Sequence, residues 1–258
     1  MKLWPYLAFV KDLIDVLPTR SLPEWTEVDK VEPGQPTVIL VSGFGATQRN
    51  LSVMRRRFRK DGFNVLVIAL DWTNLSESVH GFYHMAEMLA STIIQLRKKA
   101  GMRSMPIYLV AHSAGGLVAR YYIQRLGGFH YCQALITLGT PHRGTWVAIL
   151  GFMTHLVLKI SCLFQMLPLS PFIRSVNSVV FPSDFPFLSI SSPQDFMCRP
   201  SMAKLPRRCR NLPQVHAVKI GGLSHSGLLL SKRVYARCLE MLRPQAAAKV
   251  GETLESRA

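Results

Sequence analysis

The stretch Met105-Pro106-Ile107-Tyr108-Leu109-Val110-Ala111-His112-Ser113-Ala114-Gly115-Gly116 constrains this chain more than any other. Ile107 to Ala111 is a short apolar run with β character. Ser113 follows almost at once, and small residues then open a helical pattern through Leu117, Val118, Tyr121, Tyr122 and Ile123. A serine caught on a tight turn between strand and helix holds a strained backbone, so its neighbours must be small. Ala111 stands two before it, Gly115 two after, and Gly116 gives the helix room to pass close to a sheet. The pattern small-x-Ser-x-Gly is common by chance because glycine is common. The strand before it and the helix after it make this instance read as a turn that presents a nucleophile.

The rest of the chain repeats the same alternation. Thr37 to Val41 is a continuous β-branched run, as in a buried parallel strand, and it ends in Ser42-Gly43-Phe44-Gly45-Ala46. A helix follows over Thr47 to Lys60, with Leu51, Met54 and Phe58 on one stripe and Asp61-Gly62 as its stop. Phe63 to Leu70 is the next strand, and Ser78 to Ala100 a long amphipathic helix. Strands at Ala134 to Leu138, Phe187 to Ser191 and Val215 to Ile220 come later, with a closing helix from about Leu229 to Leu242. Strand and helix alternating at this pitch predict an α/β fold with a doubly wound, mostly parallel sheet. At 258 residues and 48% hydrophobic, the chain is long enough for one large core. The expected organisation is an N-terminal helical extension over 1–35, a main domain over 36–243 and a flexible tail over 244–258.

Between Gly144 and Asp184 the alternation stops. Trp146 to Leu158 is apolar apart from Thr154 and His155, and apolar residues continue to Val180. That run is too short to span a bilayer. It reads either as a core helix with a loop or as an apolar cap over about 145–183.

A serine hydroxyl needs a base within hydrogen-bond reach, and that base must be held in one tautomer by an acid. Parallel sheets place such groups at the carboxyl ends of their strands. Asp195 follows the strand at 187–191, and His225 follows the last strand in a Gly/Ser-rich turn. Asp184 is the rival acid but precedes its strand. His142 reads as structural, and His112 is expected to face away from the serine beside it. The glycine-rich turn at 42–46 is a simple turn or a donor loop. In the second case the backbone N–H groups of Phe44 and Ala114 would meet a developing oxyanion.

Charge and cysteine content narrow the partners. Net charge is +16, in local runs such as Arg55 to Lys60, Arg97 to Lys99 and Lys204 to Arg210. No nucleic-acid motif accompanies them, so nucleic acid is not expected. An anionic membrane surface is the alternative partner. The five cysteines form no CxxC pair, so no metal site is expected, although Cys198 and Cys209 could be bridged in an oxidising compartment. His80 and His84, four apart, lack the glutamate of a metal-binding helix and read as a surface pair. Leu3, Leu7, Val10, Ile14 and Leu17 read as an amphipathic helix rather than a signal peptide or a span. The expected location is cytoplasmic, with peripheral membrane contact as a variant.

Val-Ser-Gly-Phe-Gly at 41–45, Ala-His-Ser-Ala-Gly-Gly at 111–116 and Leu-Gly-Thr-Pro-His-Arg-Gly-Thr at 138–145 form a set with the late Asp195 and Leu-Ser-His-Ser at 223–226. Together they resemble the α/β-hydrolase superfamily, in particular bacterial triacylglycerol lipases and esterases and the related glycosylphosphatidylinositol-inositol deacylases. The likeness covers roughly residues 36–243. It implies carboxylic-ester hydrolysis through an acyl-serine intermediate, with a triad of Ser113, Asp195 and His225, a small-molecule or lipid ester as substrate, and no cofactor. Two departures stand out. Ser42 replaces the histidine usual in that family, and Ala111 replaces the first elbow glycine. The alternatives are an acyltransferase or deacylase using the same three residues, and a hydrolase-fold module that binds an anionic membrane or partner.

Overall fold

The computed structural model describes residues 31–32, 34–44, 48–69, 75–99, 102–149 and 162–255, with the backbone alone at 48, 75–80, 149, 162 and 244–255. Six strands form one sheet: β1 (Thr37–Val41), β2 (Asn64–Ile68), β3 (Ile107–His112), β4 (Ala134–Leu138), β5 (Phe187–Ser191) and β6 (Val215–Lys219). Their order is β2-β1-β3-β4-β5-β6, and every neighbouring pair is parallel. β1, β3, β4 and β5 are buried along their whole length, which is why none carries a charged residue, although β5 buries Ser189 and Ser191. β2 and β6 are the edges, and in β6 His216, Ala217 and Lys219 are exposed.

The register sets the ends of the strands level. Val41 pairs with Ala111, His112 with Leu138, Leu138 with Ile190, and Ser191 with Lys219. The segments leaving β1, β3, β4, β5 and β6 therefore emerge along one rim, where α/β sheets hold their ligands.

The helices are α1 (Gln48–Lys60), α2 (Leu75–Lys98), α3 (Ala114–Arg125), α4 (Cys162–Gln165), α5 (Pro171–Ser178), α6 (Arg207–Arg210), α7 (Gly227–Leu230) and α8 (Lys232–Glu255). Leu51, Met54 and Phe58 of α1 are buried as their spacing requires, and Gly62 at φ 84° ends that helix. The α2 pattern hides an interruption. Gly81 adopts φ 62° and ψ −144°, and the Phe82 N–H donates to Gln165 Oε1 at 2.7 Å. A Cβ at Gly81 would lie 2.4 Å from that same side chain, so glycine lets α4 plug the break. The closing helix continues past Leu242 as helical backbone to Glu255, through the stretch expected as a tail.

Part of the apolar insertion belongs to the core. Leu163, Met166, Phe172, Ile173 and Val176 are buried in one cluster with α2 and α3. The Phe172 ring lies 4.8 Å from Phe82 and 5.2 Å from Tyr83. Residues 150–161 of the cap expected over about 145–183 lie outside the described residues, as does the amphipathic helix expected near the N-terminus. His80 belongs to the backbone-only part of α2, while His84 lies 3.8 Å from Glu87.

Several of the basic residues pin loops by donating to backbone carbonyls. Arg57 donates to Leu230 and Ser231 at the end of α7, and Arg97 to Met102, Arg103, Met105 and Tyr131. Arg125 and Arg208 do the same for Ser175 and Ser178 in α5. Cys198 and Cys209 are free buried thiols rather than the bridge considered from the sequence. No described helix is long and apolar enough to cross a membrane.

Candidate active site

Ser113 sits between β3 and α3 with φ 53° and ψ −127°, a left-handed conformation that a non-glycine residue holds only under constraint. Three contacts supply the constraint. The Ser113 N–H donates to Leu138 O at 2.9 Å, and Thr140 Oγ1 donates to Ser113 O at 2.9 Å. The loop after β1 presses from the other side, where a Cβ at Gly43 would lie 2.7 Å from Ser113 Cβ. The small residues after the serine are needed for the same reason. A Cβ at Gly115 would lie 2.1 Å from the Ser42 carbonyl oxygen, and one at Gly116 2.0 Å from Thr140 Oγ1.

Asp195 and His225 meet over the end of β4. Asp195 is fully buried, and its Oδ2 lies 2.7 Å from His225 Nδ1. Its other oxygen, Oδ1, accepts from the Cys198 N–H at 2.8 Å, so both carboxylate oxygens are engaged. The carboxylate and burial together push the Cys198 thiol well above its ordinary range, burial being the larger cause. An ionised carboxylate can only accept, so Nδ1 carries the His225 proton and Nε2 presents a lone pair. Gly139, at φ 58°, lies directly beneath. A Cβ there would stand 2.9 Å from Asp195 Oδ2 and 3.1 Å from His225 Nδ1. Gly139 follows Leu138, whose carbonyl holds Ser113. One strand end thus carries both the serine turn and the Asp–His pair.

His112, next to Ser113, turns its ring toward the His225 loop. Its Nε2 lies 3.2 Å from the His225 carbonyl oxygen, and the two rings are 4.6 Å apart. Burial, reinforced by the neighbouring His225, lowers the His112 pKa well below the usual histidine range. The sequence carried no sign of this contact, because it depends on where the loop after β6 lands.

The two expected oxyanion donors belong to the residue after the serine and to the loop whose Gly43 presses on it. Ala114 is the first residue of α3, so its N–H has no carbonyl one turn behind it. Phe44, half-buried, packs against the core. The rival acid Asp184 is exposed in the turn before β5, at the opposite edge of the sheet, where Ser183 Oγ donates to it at 3.4 Å.

His142 is buried as expected but in a separate polar cluster. Arg120 donates to its Nδ1 at 3.3 Å, and Thr137 Oγ1 lies 3.1 Å from its Nε2. Arg120 also donates to Gln124 Oε1 at 3.1 Å, Asn177 Oδ1 at 3.2 Å and the Val176 carbonyl at 3.4 Å. Among the described residues no carboxylate answers it, and burial pulls its pKa down to about 10. Among the described residues no group of three or more His, Cys, Asp or Glu could hold a metal ion.

Residues 34–165, just over half of the chain, match the family model described as "Putative serine esterase (DUF676)". The chain belongs to this family. The match takes in the β1 loop and the serine turn of this serine-esterase relative, and it ends before Asp195 and His225. Among curated proteins, none matches its sequence.

Solved structures share the α/β-hydrolase fold. The mature form of the lipase BlEst2 from Bacillus licheniformis matches with a TM-score of 0.62 at 16% identity, over 86% of this chain and 99% of that one. A soluble variant of monoglyceride lipase from Saccharomyces cerevisiae matches with a TM-score of 0.59 at 13% identity, over 85% and 89%. A monoacylglycerol lipase from Paleococcus ferrophilus matches with a TM-score of 0.56 at 12% identity, over 84% and 96%. At these identities the likeness is one of fold. Family membership supports an ester hydrolase.

Proposed function

We propose that this protein hydrolyses carboxylic esters through an acyl-serine intermediate, with Ser113 as nucleophile, His225 as general base and Asp195 as the group that orients the base. The observation that carries this reading is the buried 2.7 Å contact between Asp195 Oδ2 and His225 Nδ1, made over the strand end that also holds Ser113. His225 Nε2 takes the Ser113 proton as Oγ attacks the carbonyl carbon. The imidazolium then returns that proton to the departing alcohol, and water repeats the sequence on the acyl-enzyme. Asp195 stabilises the charged ring, and the Cys198 N–H keeps the carboxylate from turning away. The N–H groups of Ala114 and Phe44 are the proposed donors to the tetrahedral oxyanion.

Ser113→Ala removes the attacking atom and leaves the elbow contacts in place. Hydrolysis of p-nitrophenyl butyrate falls by about 10⁴-fold or more, and a fluorophosphonate probe that labels Ser113 in the native protein no longer reacts. A Ser113→Ala protein that keeps its rate refutes the assignment.

Lipid-like acyl esters are the proposed substrates. Trp146 and Leu169 support this: both are exposed and apolar, on segments joined by the Thr145 N–H bond to Met166 O. The solved neighbours named as lipases support it too. In a p-nitrophenyl series the rate rises from acetate to octanoate. A rate that peaks at acetate and falls by hexanoate counts against the lipid part alone.

A further inference from the structure

His112 is a buried titratable group beside the site that the proposed chemistry leaves idle. It ends β3, one residue before Ser113. Its Nε2 lies 3.2 Å from the His225 carbonyl oxygen, which can only accept, so Nε2 must carry the ring's proton. Nδ1 is then a lone pair. That atom is buried and has no hydrogen-bond partner. It faces Gly43, where a Cβ would stand 3.1 Å away.

An orphaned buried acceptor weakens the fold. Leucine or phenylalanine would fill the same space without that cost, so mere packing does not account for an imidazole here. What an imidazole adds is the Nε2–H donor. Burial and the nearby His225 keep the ring neutral, and no acceptor awaits a second proton at Nδ1. The ring is thereby fixed in one tautomer, with its donor aimed at His225.

We propose that His112 is a positioning residue, which anchors the backbone of His225 through its Nε2–H and so sets the base at a fixed height above the serine next in sequence. This rests on the reading of Ser113, Asp195 and His225 given above. Asp195 governs the rotation of the His225 ring, and His112 governs where its backbone stands. The second anchor refers the base directly to the nucleophile, because His112 and Ser113 share a peptide bond. Removing it lets the His225 loop drift while the serine, its turn and the acyl-binding surface stay as they were.

The test compares native protein, His112→Leu and His112→Gln, since a glutamine amide reaches about as far as Nε2 and can donate to the same carbonyl. With p-nitrophenyl butyrate, His112→Leu loses about 10- to 100-fold in kcat, with KM within about twofold of native, and fluorophosphonate labelling slows by the same factor. His112→Gln recovers most of the loss. If His112→Leu does not fold, His112→Phe replaces it, keeping a ring against His225 but no donor. An unchanged kcat in the Leu or Phe variant overturns the proposal, and so does a Gln variant no better than they are. Independently, ¹⁵N spectra of labelled histidine show His112 as the neutral Nε2–H form at pH 6, and a charged ring there overturns it too. Native protein that neither hydrolyses the ester nor reacts with the probe brings down the serine-hydrolase reading and this inference with it. An active, labelled native protein with an indifferent His112→Leu brings down this inference alone.

Discussion

Two buried histidine clusters flank the end of β4, and they are built on opposite rules. Around His142 the polar groups answer one another. Nδ1 accepts from Arg120, Nε2 meets Thr137 Oγ1, and the His142 carbonyl accepts from Asn177 at 2.8 Å. Around His225 strain and an unmet acceptor gather. The adjacent His112 has an orphaned Nδ1, and Ser113 holds a left-handed backbone. Satisfied polar clusters rigidify a core. Strain and unmet valence collect where a protein does chemistry. The contrast separates a histidine that holds helices together from the one proposed to react, although both are buried and both follow strands.

Breaking the reactive cluster should cost rate and spare stability. Asp195→Asn keeps an acceptor for the Cys198 N–H but no longer fixes the His225 tautomer. It should lower kcat by about 10⁴-fold, with a melting temperature near native. A variant that keeps its rate while losing stability would place Asp195 in the structural class.

Breaking the satisfied cluster should do the reverse. Arg120→Met strips the donor from His142 Nδ1, Gln124 Oε1, Asn177 Oδ1 and the Val176 carbonyl together. Each stranded buried acceptor costs about 1–3 kcal/mol, so with four of them the melting temperature should fall by roughly 10 °C or more. The kcat of the folded fraction should hold. A drop in kcat at unchanged stability would join the two clusters into one.

The smallest effect comes from acid. Burial lowers the pKa of both His112 and His142 below the unfolded histidine value, with His225 adding to the effect at the first and Arg120 at the second. Above about pH 6.5 both states are neutral at these groups. Below it the unfolded chain binds protons that the fold refuses, so stability declines as pH falls from there toward the depressed values. The slope approaches about 1.4 kcal/mol per histidine per pH unit. Melting curves at pH 7.5, 6.0 and 5.0 measure it. A flat profile would mean that these rings charge in place.

β1, β3 and β4 were legible because each is a short, mostly apolar run buried on both faces, and β6, exposed at the edge, was legible by its place after the alternating helices and strands. That Asp195 and His225 would meet near the turn of Ser113 was legible because level strand ends bring successive loops to one rim. What stayed hidden depends on pairing across long sequence distances. Arg120 looks like a solvated helix residue until Asn177 and Val176 of α5 close over it. Gly81 looks like a tolerated helix glycine until Gln165 reaches into the gap. His112 has no local pattern at all, since its partner carbonyl comes from the loop after the last strand. The bridge between Cys198 and Cys209 failed for a related reason, since each thiol is buried by its own neighbours and stays free.

Because Asp195 and His225 follow β5 and β6 while Ser113 follows β3, the proposed chemistry carries an order into synthesis on the ribosome. Residue 113 is synthesised well before residue 225, so the serine precedes its proposed base. On the proposed mechanism, the capacity to hydrolyse an ester arrives only when β6 joins the sheet and brings His225 to Asp195.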